Sequence, residues 1–130
     1  MDKKILCSQR APKPKGPYSQ GIIYNGIMYI SGQIPIEPKT GKIISETIEG
    51  QTKRVLENLK AIVEDSGSKM KEVLKVTCYL SDMNDLEGFN KIYTEYFPEQ
   101  PPARTTVCVA RLPMNVKVEI DAIVKLNQDI

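Results

Sequence analysis

Two periodicities divide the chain. Near the C-terminus apolar and polar residues alternate strictly: Val116, Val118, Ile120, Ala122 and Val124 share one face, while Lys117, Glu119, Asp121 and Lys125 share the other with Ile123. That pattern predicts a half-buried strand over about 116–126. A second alternation runs from Arg104 to Ala110, with Arg104, Thr106 and Cys108 on one side and Thr105, Val107 and Val109 on the other. The preceding pair Pro101-Pro102 has no place in a central ladder, so this strand begins at or just before the arginine. Elsewhere the repeat is 3.6 residues. Ile48, Val55, Leu56, Leu59, Ile62 and Val63 form one stripe and predict a helix over 47–66, stopped by Gly67. Leu86, Phe89, Tyr93, Tyr96 and Phe97 predict a second over 84–97, capped by Ser81 or Asp82.

The segment 21–31 reads as a hairpin turning at Asn25-Gly26. Residues 73–80 read as a strand, 3–8 as an edge strand, and 32–42, with Pro35, Pro38 and Gly41, as a loop. The order β-ββ-α-β-α-β-β predicts an α+β fold, a sheet of about six strands with both helices on one face. Ile22-Ile23-Tyr24 and Ile27-Met28-Tyr29-Ile30 are apolar on both faces, yet two helices cover only one. Further copies of the same chain are the economical cover for the other.

Length and charge narrow the function. A chain of 130 residues fits a single domain over 1–130. Its net charge of +2, with no basic block, makes nucleic acid an unlikely partner; Lys13 and Lys15, flanking Pro14, read as a solvated loop. No apolar run reaches membrane-spanning length and no signal-peptide core opens the chain, so no membrane association is expected. Three cysteines, an odd count without a close pair, suit a reducing cytoplasm. The absence of histidine removes Ser-His and Cys-His pairs and histidine metal sites, and no nucleotide-cradling glycine loop occurs.

Acid–base chemistry therefore falls to carboxylates, tyrosines, lysines, backbone groups or water. On pattern alone, a solvated Arg104 and a solvated or lysine-paired Glu119 are the ordinary outcome. If the last strand pairs with the Arg104 strand, however, an anion-binding fork and a proton acceptor line one face of the sheet. Asn90, at the edge of the second apolar stripe, either ties its helix to a loop or fixes the site.

Five motifs in order carry a resemblance: Gly16-Pro17-Tyr18-Ser19-Gln20; Ile30-Ser31-Gly32-Gln33; Phe89-Asn90-x-x-Tyr93; Pro102-Ala103-Arg104 with Val109-Ala110-Arg111-Leu112-Pro113; and Val118-Glu119-Ile120. Together they resemble the reactive intermediate deaminase family, RidA type, from about residue 7 to 125. The resemblance implies a chorismate-mutase-like fold and a homotrimer with an inner barrel of sheets and ligand clefts between subunits. It also implies hydrolysis of enamine and imine intermediates such as 2-aminoacrylate and 2-iminobutanoate to 2-oxo acids and ammonia, with no metal or organic cofactor. By position, Arg104 matches the arginine that clamps the substrate carboxylate and Glu119 the glutamate that orients water and moves protons. Tyr18 matches a lid tyrosine, and Ser31, Gly32 and Asn90 match pocket residues. Thr106 stands where many members carry cysteine, so no thiol acts there; Cys108 reads as a small core residue. Two alternatives remain open: an endoribonuclease that inhibits translation, and a module that binds 2-oxo acids without turnover.

Overall fold

Asn25 and Gly26 both take positive φ (53° and 78°), which matches the twist of a two-residue hairpin turn. They join β2 (Gly21–Tyr24) to β3 (Ile27–Gln33) as expected. The computed structural model describes residues 2–127. β1 (Lys4–Leu6) adds to β2, a two-stranded ribbon of β4 (Ile36–Glu37) and β5 (Lys42–Ile43) follows, and α1 spans Ile48–Asp65. Then come β6 (Val73–Leu80), α2 (Leu86–Tyr96), β7 (Ala103–Cys108) and β8 (Val118–Lys125).

Local chemistry sets the helix ends. The Thr47 side chain accepts from the Gly50 N–H at 3.0 Å, and Gly67, at φ 86°, turns the chain out of α1. α2 starts at Leu86, two residues after the expected start at residue 84. Asp82 caps a 3-10 turn at Met83–Asp85, not the helix itself, by accepting from the Asn84 N–H at 2.9 Å. The segment 32–42 is not wholly loop, because β3 continues to Gln33 and the β4–β5 ribbon lies within it.

The six-stranded sheet has the order β1-β2-β3-β8-β6-β7, with both helices on one face. Only β6 and β7 run parallel; the other pairs are antiparallel. Met28, Val76, Cys78, Ile120 and Val124 point inward and meet Leu56, Leu59, Ile62 and Phe89 from the helices, all fully buried. Each such side chain contributes about 1.5–3 kcal/mol by leaving water. The opposite face carries Ile5, Tyr24, Tyr29 and Val107, which are 68%, 46%, 47% and 38% exposed. The described residues contain no element to cover it.

The order corrects one expectation. β8 does not pair with β7; it lies between β3 and β6, and β7 hangs on the outer side of β6 as an edge strand. Cys108 is accordingly exposed rather than packed in the core, because β7 ends beyond the reach of the helices.

Candidate active site

Directly opposite residues in a sheet share a face, and alternate residues switch it. Arg104 stands opposite Val76, and Val76 opposite Ala122, both buried beneath the helices. Glu119 is three residues from Ala122 and opposite Tyr79, so it points to the other face. Arg104 and Glu119 of one chain therefore do not share a face. They lie on opposite sides of the sheet with β6 between their strands, against the expectation that they would line one surface.

Each end is nevertheless built. On the helix side, the Arg104 Nη1 donates to Asn90 Oδ1 at 2.9 Å. The guanidinium carbon lies 4.8 Å from the Tyr93 ring centroid and 5.4 Å from that of Phe89. Those rings sit one helical turn apart and form a floor that favours a cation over their π-faces. Asn90 thus fixes the arginine rather than tying its helix to a loop. The remaining guanidinium N–H groups have no hydrogen-bond partner among the described residues. They open onto a cavity of about 410 Å³ bounded by Tyr93, Phe97, Pro101 and Pro102. Thr106 lies on this same side opposite buried Cys78, with its hydroxyl oxygen buried and unpartnered, as is that of Tyr93. Burial pushes the Tyr93 hydroxyl and the Cys78 thiol up to about 12 each, so both remain protonated at neutral pH. The aromatic floor had a sequence signal, since Phe89 and Tyr93 bracket Asn90 at helical spacing. Its target was not readable without the β7 placement.

The second end sits at an irregularity in β3. Ile30 opposes Ala122 and Gln33 opposes Ile120, so Ser31 and Gly32 together face the single residue Asp121. Such a bulge re-aims side chains. The Ser31 backbone N–H donates to the Gln20 carbonyl at 2.9 Å and its hydroxyl to the Ser19 carbonyl at 2.5 Å, holding the Tyr18 segment against β3. Gly32 gives Glu119 its room: a Cβ at Gly32 would lie 2.0 Å from Glu119 Oε2. Tyr18, 53% exposed, and Gly32 line a cavity of about 260 Å³. A larger hollow of about 430 Å³ between Arg10, Lys39 and Arg54 holds none of these residues. There Arg10 is already bound to Asp65 at 2.8 Å and Arg54 to Asn58 at 2.9 Å.

Partial burial, followed by the nearby charge of Asp121, raises the Glu119 carboxyl above its ordinary value of 4.5. The fold thus disfavours the carboxylate. Stability contributed by this group is present at low pH and falls as pH rises from 4.5 through the folded-state value. Asp121→Asn should move the Glu119 midpoint downward, because a like charge is removed, though burial remains. Carboxyl-carbon NMR titration reads this directly, and an unchanged midpoint would show that Asp121 does not act on Glu119. Gly32→Ala should displace a flexible carboxylate and not backbone. We therefore expect a stability loss under about 1 kcal/mol together with at least a tenfold drop in turnover; thermal unfolding and steady-state rates separate the two.

A protein-family model described as Endoribonuclease L-PSP matches residues 8–126. A RutC family protein of Pyrococcus abyssi is 50% identical over 123 residues, 95% of this chain and 97% of that protein. A 2-iminobutanoate/2-iminopropanoate deaminase of Dermatophagoides farinae is 40% identical over 125 residues, 96% and 98% of the two chains. The crystal structure of Escherichia coli TdcF with bound serine superimposes with a TM-score of 0.91 at 40% identity, covering 95% of this chain and 99% of that one. The match takes in the bulge at Ser31-Gly32, the Arg104 strand and the Glu119 strand, so the chain belongs to the Endoribonuclease L-PSP family, the group of reactive intermediate deaminases that its five motifs resemble.

Proposed function

We propose that this chain hydrolyses small 2-imino acids of the 2-iminobutanoate and 2-iminopropanoate class, with enamines such as 2-aminoacrylate reacting through their imine tautomers. The observation that carries this reading is the Arg104 fork. It is held on a rigid strand by Asn90 and two rings, its free N–H groups open to a cavity, and it matches the planar geometry of a carboxylate. The named deaminase and the serine-bound TdcF among the relatives support a substrate of amino-acid size. A small carboxylate suits the chain better than RNA, because a net charge of +2 supplies no electrostatic track.

The chemistry asks little of the protein. A protonated imine is already electrophilic. Arg104 holds its carboxylate, and Glu119, as carboxylate, accepts a proton from water placed about 3 Å from the imine carbon. The C–O bond forms, giving a carbinolamine. Glu119 then returns the proton to nitrogen and takes the hydroxyl proton as the C–N bond breaks, leaving the 2-oxo acid; ammonia departs and carries that proton away as ammonium. The raised carboxyl of Glu119 favours that return step.

Since Arg104 and Glu119 of one chain face opposite ways, we place the working site between copies in a homotrimer, Arg104 from one and Glu119 with Tyr18 from the next. The exposed Ile5, Tyr24, Tyr29 and Val107 give the neighbour an apolar face to cover. Three free cysteines suit a cytoplasmic setting; no helix among the described residues is long and apolar enough to cross a membrane. The test generates 2-iminobutanoate from threonine with a threonine dehydratase and follows 2-oxobutanoate. Release faster than the spontaneous rate, in proportion to added protein, is expected; no acceleration refutes the reading.

A further inference from the structure

Lys13 and Lys15 lie exposed on a loop, as expected. Both line the cavity beside Tyr18 and Gly32, whose walls also include Ile34 and Met114. No carboxylate lines that cavity among the described residues, and neither lysine forms an ion pair there. Two lysines without an ion-pair partner among the described residues therefore border a partly apolar hollow.

Their backbone is held in place. The buried Gln20 side chain donates to the Pro12 carbonyl at 2.9 Å and the Ser8 carbonyl at 3.1 Å, and accepts from the Ser8 N–H at 2.6 Å. Pro12, Pro14 and Pro17 fix φ along the segment, and Lys13, preceding a proline, is biased to an extended backbone. At the far side, the Tyr18 N–H donates to the Gly16 carbonyl at 2.8 Å. Lys15 reaches toward the β4–β5 ribbon, with its Nζ 3.8 Å from where a Cβ on Gly41 would stand. Little ordering entropy is left to lose in the backbone when an anion arrives.

We propose that Lys13 and Lys15 form a subsite for a second acidic group, so that the chain also hydrolyses imines of dicarboxylic 2-oxo acids, such as 2-iminosuccinate. This inference rests on the deaminase reading above. Arg104 of the neighbouring copy takes the carboxylate next to the imine carbon, the apolar wall beside Tyr18 takes the intervening carbon, and the lysines take the terminal carboxylate. The reaction balances as before: water adds to the iminium carbon, the C–N bond breaks, and the products are the 2-oxo dicarboxylate and ammonium.

The test supplies 2-iminosuccinate from D-aspartate with D-aspartate oxidase, and 2-iminopropanoate from D-alanine with a D-amino-acid oxidase, each in competition with semicarbazide trapping. The wild-type protein should divert both imines from the trap. In the double variant K13A/K15A, whose positions are exposed and tolerant, the rate constant for 2-iminosuccinate should fall about five- to tenfold, as expected for two lost exposed charge pairs. That for 2-iminopropanoate should change less than about twofold. K13E/K15E should widen the gap. Wild-type turnover of 2-iminopropanoate without 2-iminosuccinate, or equal losses on both in K13A/K15A, overturns the subsite alone. Wild-type protein inert toward both imines overturns the deaminase reading itself.

Discussion

Arg104→Lys should lower kcat/KM on 2-iminobutanoate about a hundredfold, equivalent to ~2.7 kcal/mol, the scale of a lost charge-assisted hydrogen bond. Lysine keeps the charge but loses three things together. It cannot form two parallel bonds to a carboxylate, it cannot lie flat over the Tyr93 and Phe89 rings, and as a compact point charge it cannot reach Asn90 and substrate in the fixed fork of a guanidinium. Because Arg104 is exposed and on an edge strand, the thermal midpoint should scarcely move. Turnover within threefold of wild type would show that Arg104 does not clamp the substrate.

Mixing two dead proteins should restore activity. Arg104→Ala removes the clamp and Glu119→Gln the proton acceptor, so each variant alone should be inactive. After co-refolding in equal amounts, a site built from Arg104 of one chain and Glu119 of the next is intact when both happen to be native. Each is native half the time, so about a quarter of sites recover. If both residues served a site within one chain, mixing would restore nothing. The opposite-face placement of the two residues is what makes recovery the expected result. Size-exclusion and mass measurement of the mixed rings check that chains have exchanged; exchanged rings without activity would refute the shared site.

What was legible in the sequence tracks how local its cause is. The hairpin at Asn25-Gly26 and the helix from Ile48 to Asp65 come from turn chemistry, caps and one stripe, all within a few residues. The bounds of β7 and β8 were close for the same reason. Strand order was not legible, since it depends on pairings between segments far apart: alternation tells which residues share a face of a strand, not which face of the sheet that is. Arg104 and Glu119 stand out through motif resemblance, yet they fall on opposite faces, because the register sets Arg104 level with inward Val76 and Ala122, and Glu119 three residues from Ala122. The bulge at Ser31-Gly32 was hidden similarly, as the sequence shows a glycine but not the carboxylate that needs its space. Lys13 and Lys15 are exposed, as their charge suggests, but charge alone does not reveal that they border a cavity.

The two margins of the sheet are guarded unequally. β1 is three residues long, and Lys4 within it and Lys3 beside it are charges of the kind that discourage strand addition. β7 offers twice that length, and beyond Arg104 it is made only of threonine, valine and cysteine. Its outer backbone groups form a template to which another extended segment can hydrogen-bond. On the proposed trimer, a solitary copy is a colloidal hazard as well as an incomplete catalyst: any substitution that weakens association should be read out first as turbidity, before any loss of secondary structure within the chain.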